Sequence, residues 1–93
     1  MLKRHGPLRS MLLQKRLTEL RAAAVLDDMR KLPQAHCHEL RGVRKGELAV
    51  DLDQPYRLIF EVANDPKPTK MDGGLDWLNT TAIRITGIED YHE

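Results

Sequence analysis

Tyr56-Arg57-Leu58-Ile59-Phe60-Glu61-Val62 is the stretch on which the fold turns. It holds no Gly or Pro and is dense in aromatic and branched apolar residues, the pattern of a β-strand. It is apolar enough to be central in a sheet, with a helix over one face. Upstream, Glu47-Leu48-Ala49-Val50-Asp51-Leu52 alternates cleanly, which turns Leu48, Val50 and Leu52 toward a core. Asp53-Gln54-Pro55 makes the turn between these two strands. Further upstream, His38-Glu39-Leu40 reads as a short strand. Arg41-Gly42-Val43-Arg44-Lys45-Gly46 reads as a glycine-bounded basic turn. Downstream, a last strand is expected from about Thr80 to Glu89. Ala63 to Asn79 connects it to the centre, with Pro66, Pro68, Gly73 and Gly74 inside and Leu75 and Trp77 available to pin it to the body. Connections of this length in a small domain are usually functional or mobile.

Before the sheet the period changes. Gly6-Pro7 opens a helical segment, with Pro7 near a first turn where a missing N–H costs nothing. Leu13, Leu17, Leu20 and Ala24 fall at helical spacing, with Lys15, Arg16 and Arg21 to the sides. Val25 to Lys31 either continues this helix or forms a second short one, and Pro33 ends it. The order predicts one α+β domain over 1–93: an N-terminal helix or helix pair packed on one face of an antiparallel sheet of three to four strands.

Ninety-three residues, 31% charged and 41% hydrophobic, support one modest core. No apolar run approaches membrane length, and no secretory apolar stretch follows Met1-Leu2-Lys3-Arg4. Cys37 is the only cysteine and has no internal partner, which points to a reducing cytoplasm. The formal net charge of +1 hides a split. Up to Gly46 there are eleven Lys/Arg against four Asp/Glu; from Glu47 onward there are four against ten. Halves of about +7 and −6 suggest a basic face that attracts nucleic acid or acidic partners, unless they neutralise each other on folding.

The final strand runs into Asp90-Tyr91-His92. Strict alternation turns Asp90 and His92 to the same side as Arg84 and Tyr91 to the other. An acid/base group beside a cation is what cleavage of a phosphodiester needs. A polar tail that solubilises the end of the sheet is the plainer alternative. His36-Cys37-His38 suggests zinc, but neighbours in an extended chain point to opposite faces and no second Cys pair exists, so no metal site is assigned.

Three stretches together resemble the HigB branch of the RelE/ParE toxin superfamily of bacterial type II toxin–antitoxin modules. They are His38-Glu39-Leu40-Arg41-Gly42 with Arg44-Lys45-Gly46, then Tyr56-Arg57-Leu58-Ile59-Phe60, then the terminal Asp90-Tyr91-His92. The helix Leu17 to Ala23 and the segment Asp28 to Pro33 look similar as well. The resemblance implies a ribosome-dependent endoribonuclease that cuts messenger RNA in the decoding site without a metal or other cofactor. It also implies a cognate HigA-like antitoxin, a helical DNA-binding protein through which alone the toxin meets operator DNA, and no membrane partner. The family usually opens with a strand before the helices. Only Met1 to Pro7 precede the helix here, which would leave a sheet edge exposed.

The resemblance also assigns roles. Metal-free cleavage uses the 2′-hydroxyl of the substrate: a base takes its proton, cations stabilise the phosphorane and an acid protonates the departing 5′-oxygen. His92 matches the terminal histidine of the family and is the first candidate for proton transfer. Asp90 would orient His92 or Arg84, or act as a base. Tyr91 would stack on a base, donate a proton, or pack against the helix. His38 and Arg41 match the His and the basic residue before the glycine, with Arg41 on the scissile phosphate; an ordinary strand residue is the alternative for His38. Arg57 matches the arginine of the Tyr-Arg pair, and an ion pair with Asp51 or Glu61 is its alternative. Arg44 and Lys45 would grip ribosomal RNA phosphates, and Arg84 would add a cation nearby. The competing readings are a ParE-like gyrase inhibitor without nuclease activity and an inactive relative that only binds its antitoxin.

Overall fold

A computed structural model of the chain describes residues 2–90, with side chains from residue 6 onward. Helix α1 (Leu2–Ala22) carries a break at Gly6, whose φ of 72° and ψ of 166° lie outside helical space. Glycine reaches that conformation without a Cβ clash. Pro7 therefore sits in the first turn of the long segment, as its missing N–H requires. The helix stops two residues short of Ala24 because Asp28 claims the next amides. Its Oδ2 accepts from Ala24 N–H at 2.9 Å and from Val25 N–H at 3.3 Å. The Val25 amide, then the Ala24 amide, hold the Asp28 carboxyl below its ordinary pKa, with Lys31 adding to them. A separate 3₁₀ helix (Leu26–Lys31) follows.

The sheet has four strands: β1 (His38–Glu39), β2 (Glu47–Asp51), β3 (Tyr56–Val62) and β4 (Ile83–Asp90). They pair antiparallel in the order β1-β2-β3-β4. The α1 side chains Leu12, Leu13, Leu17 and Leu20, with Leu26 and Met29, cover one face. Beneath them lie Leu48, Val50 and Leu52 and, from β3, Leu58 and Phe60. Leu75 and Trp77 complete this core, so the long connection is packed onto the body. That connection is also tied down at its ends. Asn64 Oδ1 accepts from the N–H groups of Thr81 and Ala82, at 3.1 and 2.9 Å. These amides go to a side chain, so β4 begins at Ile83 and not at Thr80.

Arg16 belongs to the core and not to a wet side of the helix: it is 4% exposed. Its guanidinium donates to the carbonyls of Asp51 (2.7 Å) and Gln34 (3.0 Å) and to Glu19 (3.1 Å). One buried cation thus joins α1, the end of β2 and the approach to β1.

The opposite face of the sheet, called here the open face, is not uniformly wet. Leu40, Ala49 and Ile59 form a small buried cluster on it. Among the described residues no helix is long and apolar enough to cross a membrane.

Candidate functional site

A β-bulge decides which end-of-chain residues share a face. Phe60 opposes Ile85, but the next residue back, Ile59, opposes Gly87. Thr86 is the extra residue, and its Oγ1 donates to the Ile59 carbonyl at 3.1 Å. The extra residue reverses the alternation beyond it. Arg84 opposes Glu61 on the open face, whereas Asp90 opposes Tyr56 on the helix face. The expectation that Asp90 and Arg84 point the same way is therefore wrong. Asp90 instead contributes to the field of Arg9, which lies 3.5 Å above the Tyr56 ring and is bonded to Asp53 at 3.0 Å. The Asp53 carboxylate is the main cause of the raised Arg9 pKa, and Asp90 adds to it. Tyr91 and His92 lie outside the described residues.

The residue that the bulge brings to the open face is Glu89, opposite Arg57. Arg44 reaches it across β3, with Nη2 donating to Glu89 Oε2 at 2.9 Å, and Nε donates to Glu47 Oε1 on β2 at 2.9 Å. The carboxylates of Glu89 and Glu47 raise the Arg44 pKa. In return Arg44 holds Glu89 below the usual carboxylate range. Arg84 pairs with Glu61 at 2.7 Å. Arg57 Nε lies 3.5 Å from Asp51 Oδ1, the cross-strand pair that was the alternative for this arginine. Arg44 thus neutralises two carboxylates of the acidic half, whereas Arg57 and Arg84 pair within that half.

His38 and Arg57 share the open face through the register His38–Ala49–Ile59, two residues from Arg57 on β3. A chain of stacking and ion-pair contacts connects them. His38 stacks on His36 with ring centroids 4.3 Å apart, and His36 Nδ1 lies 3.3 Å from Asp51 Oδ2. His36 is held there by a φ of 48°, and that left-handed backbone, invisible in composition, is why sequence reasoning missed its role. His38 Nδ1 lies 2.7 Å from the His36 carbonyl. A carbonyl only accepts, so His38 donates Nδ1–H and presents its Nε2 lone pair outward when neutral.

His38 also lines a groove of about 630 Å³ along the β1 edge, with Arg41, Gly42, Lys45, Arg30, Trp77, Cys37, Glu39 and Leu40. The groove is cationic. Arg41 and Lys45 are exposed and make no ion pair among the described residues. Arg30 lies 4.1 Å over the Trp77 ring and pairs with Asp27 at 3.1 Å. Glu39, the one carboxylate in the lining among the described residues, accepts the Trp77 indole N–H at 2.9 Å. Burial pushes the Cys37 thiol up to about 12, which removes it as a nucleophile. No three His, Cys, Asp or Glu side chains among the described residues are arranged to hold a metal ion.

The site residues expected from sequence therefore divide. His38, Arg41 and Lys45 gather at the β1 edge. Arg57 and Arg44 lie over the open face in ion pairs. Arg84 and Asp90 belong to the opposite edge, on different faces. Comparison with family models, with curated proteins and with solved structures found no match.

Proposed function

We propose that the chain is an RNA-cleaving toxin of the RelE/HigB kind, acting on messenger RNA in the ribosomal decoding site and held in check by a cognate HigA-like antitoxin. The observation that carries this reading is His38. Its tautomer is set by the His36 carbonyl, and it lines a groove with Arg41 and Lys45, which make no ion pair among the described residues. Neutral histidine with a free Nε2 is a base suited to neutral pH. In this reading His38 takes the 2′-hydroxyl proton, the 2′-oxygen attacks phosphorus, and Arg41 and Lys45 stabilise the phosphorane charge. The 5′-oxygen leaves with a proton from His92, and the products are a 2′,3′-cyclic phosphate and a 5′-hydroxyl. Arg57 helps to position His38 through the contacts of Asp51 and His36. The compartment of such a reaction is the cytoplasm, and operator DNA is reached only through the antitoxin.

One observation favours the second reading, a ParE-like gyrase inhibitor or an inactive antitoxin-binding relative. Asp90 sits on the helix face, away from His38 and Arg57. Primer extension on programmed ribosomes, run beside a gyrase supercoiling assay, separates the two. Cuts inside the decoding site with supercoiling unchanged support the nuclease. Inhibited supercoiling without cuts supports the inhibitor, and neither effect supports the inactive relative.

A further inference from the structure

The outer edge of β4 has no partner among the described strands, although it runs for eight residues. A long bare edge is a template for another strand. Beside it an apolar groove of about 410 Å³ opens between α1 and the sheet, lined by Leu13, Leu17, Leu58, Ile85, Gly87 and Ile88. Ile85 is 41% exposed, and Met11 on α1 is 61% exposed.

The ladder shows which groups of β4 face outward. Leu52 N–H donates to the Tyr56 carbonyl, so Tyr56, Leu58 and Phe60 direct their main chain to β2. Arg57, Ile59 and Glu61 direct theirs to β4. Ala63 N–H donating to the Ala82 carbonyl agrees with this phase. On β4 the main-chain groups of Ile83, Ile85, Ile88 and Asp90 are then turned away from the sheet.

We propose that this edge binds a second copy of the chain, β4 against β4, antiparallel about a twofold axis. The bulge selects the register. With Arg84 opposite Glu89 of the second copy, Ile85 falls opposite Ile88 and Ile83 opposite Asp90. Every one of these pairs shares a face. The outward-turned pairs Ile83–Asp90 and Ile85–Ile88 exchange main-chain hydrogen bonds. Arg84–Glu89 becomes the intervening pair, in which side chains approach most closely. A slip of one residue sets Arg84 against Ile88 or Asp90 of the wrong face. Arg84 would then lie between Glu61 of its own β3, at 2.7 Å, and Glu89 of the second copy. The symmetry forms each contact twice and joins the two apolar grooves through Ile85 and Ile88. This match of charge, face and bonding phase with itself favours a second copy over an unrelated strand.

Sedimentation equilibrium of the full chain over a concentration series tests the proposal, with circular dichroism confirming the fold of each variant. The intact protein is expected to show a monomer–dimer equilibrium. Ile85→Pro removes an outward N–H that the monomer does not use, and is expected to be folded and monomeric. Arg84→Glu and Glu89→Arg each set like charges opposite one another, and each is expected to weaken association about tenfold. An equimolar mixture of those two variants is expected to restore it, since two anionic positions on one strand then meet two cationic positions on the other. The mixture decides the matter alone if Ile85→Pro does not fold. A monomeric intact protein at every concentration overturns the proposal. So does a dimer that folded Ile85→Pro preserves, or a mixture no stronger than either variant by itself.

Discussion

Arg44 and Glu89 tie the turn after β1 to the far edge strand β4, with Nη2 donating to Oε2 at 2.9 Å. The bond crosses β3 above the buried Ile59. Glu89 has a folded pKa below its unfolded value, with the Arg44 hydrogen bond as the first cause. Its contribution to stability is therefore present above the unfolded carboxylate pKa of about 4.3 and lost as pH falls through the lower folded value. Glu89→Gln is expected to lower the melting temperature at pH 7. The difference from the intact chain should shrink toward zero in melts taken at progressively lower pH, below the ordinary carboxylate range.

Arg16 carries a larger structural burden. Truncation to Ala leaves the Asp51 and Gln34 carbonyls and the Glu19 carboxylate, all part-buried, without this donor. A loss of about 3 kcal/mol is expected in urea unfolding, within the range for breaking a buried charged network. A loss under about 0.5 kcal/mol, typical of a surface change, would contradict the structural role.

Cys37 should be slow to react. With its thiol held up to about 12 by burial, little thiolate is present at pH 8 in the folded chain. Alkylation followed by mass spectrometry is expected to show protection that disappears in denaturant. Rapid labelling of the native protein would contradict a thiol held up by burial.

Arg41 and Lys45 are groove cations that make no ion pair among the described residues. The double substitution to Ala is expected to weaken single-stranded RNA binding across sequences. It should also reduce the slope of log K against log salt by about 1.4, at about 0.7 per phosphate contact. The same test on Arg44→Ala is expected to move the slope little, since Glu47 and Glu89 already neutralise that guanidinium.

Much of the fold was legible in periodicity. Tyr56–Val62 reads as the central strand because nothing in it breaks a ladder, and β3 has those bounds. Leu48, Val50 and Leu52 face the core as their alternation dictates. The side on which Asp90 lies was not legible. Ile83 and Ile85 set an alternation that Ile88 breaks, but only pairing with β3 shows that the inserted residue is Thr86 and that the side reverses beyond it. Arg16 was hidden for a similar reason. A cation on a helix is ordinarily wet, and only the tertiary position of two carbonyls makes its burial favourable. At the site, His38, Arg41 and Lys45 were legible by motif. The tautomer of His38 depends on the left-handed turn at His36, which no residue type announces.

The most direct measurement is the rate of messenger RNA cleavage on programmed ribosomes, read by primer extension, for the intact chain and His38→Ala. With His38 as the base, the variant is expected to be folded and to cut about a hundredfold more slowly at the same positions. Cutting by folded His38→Ala at the intact rate would contradict the account and move proton transfer away from the β1 groove.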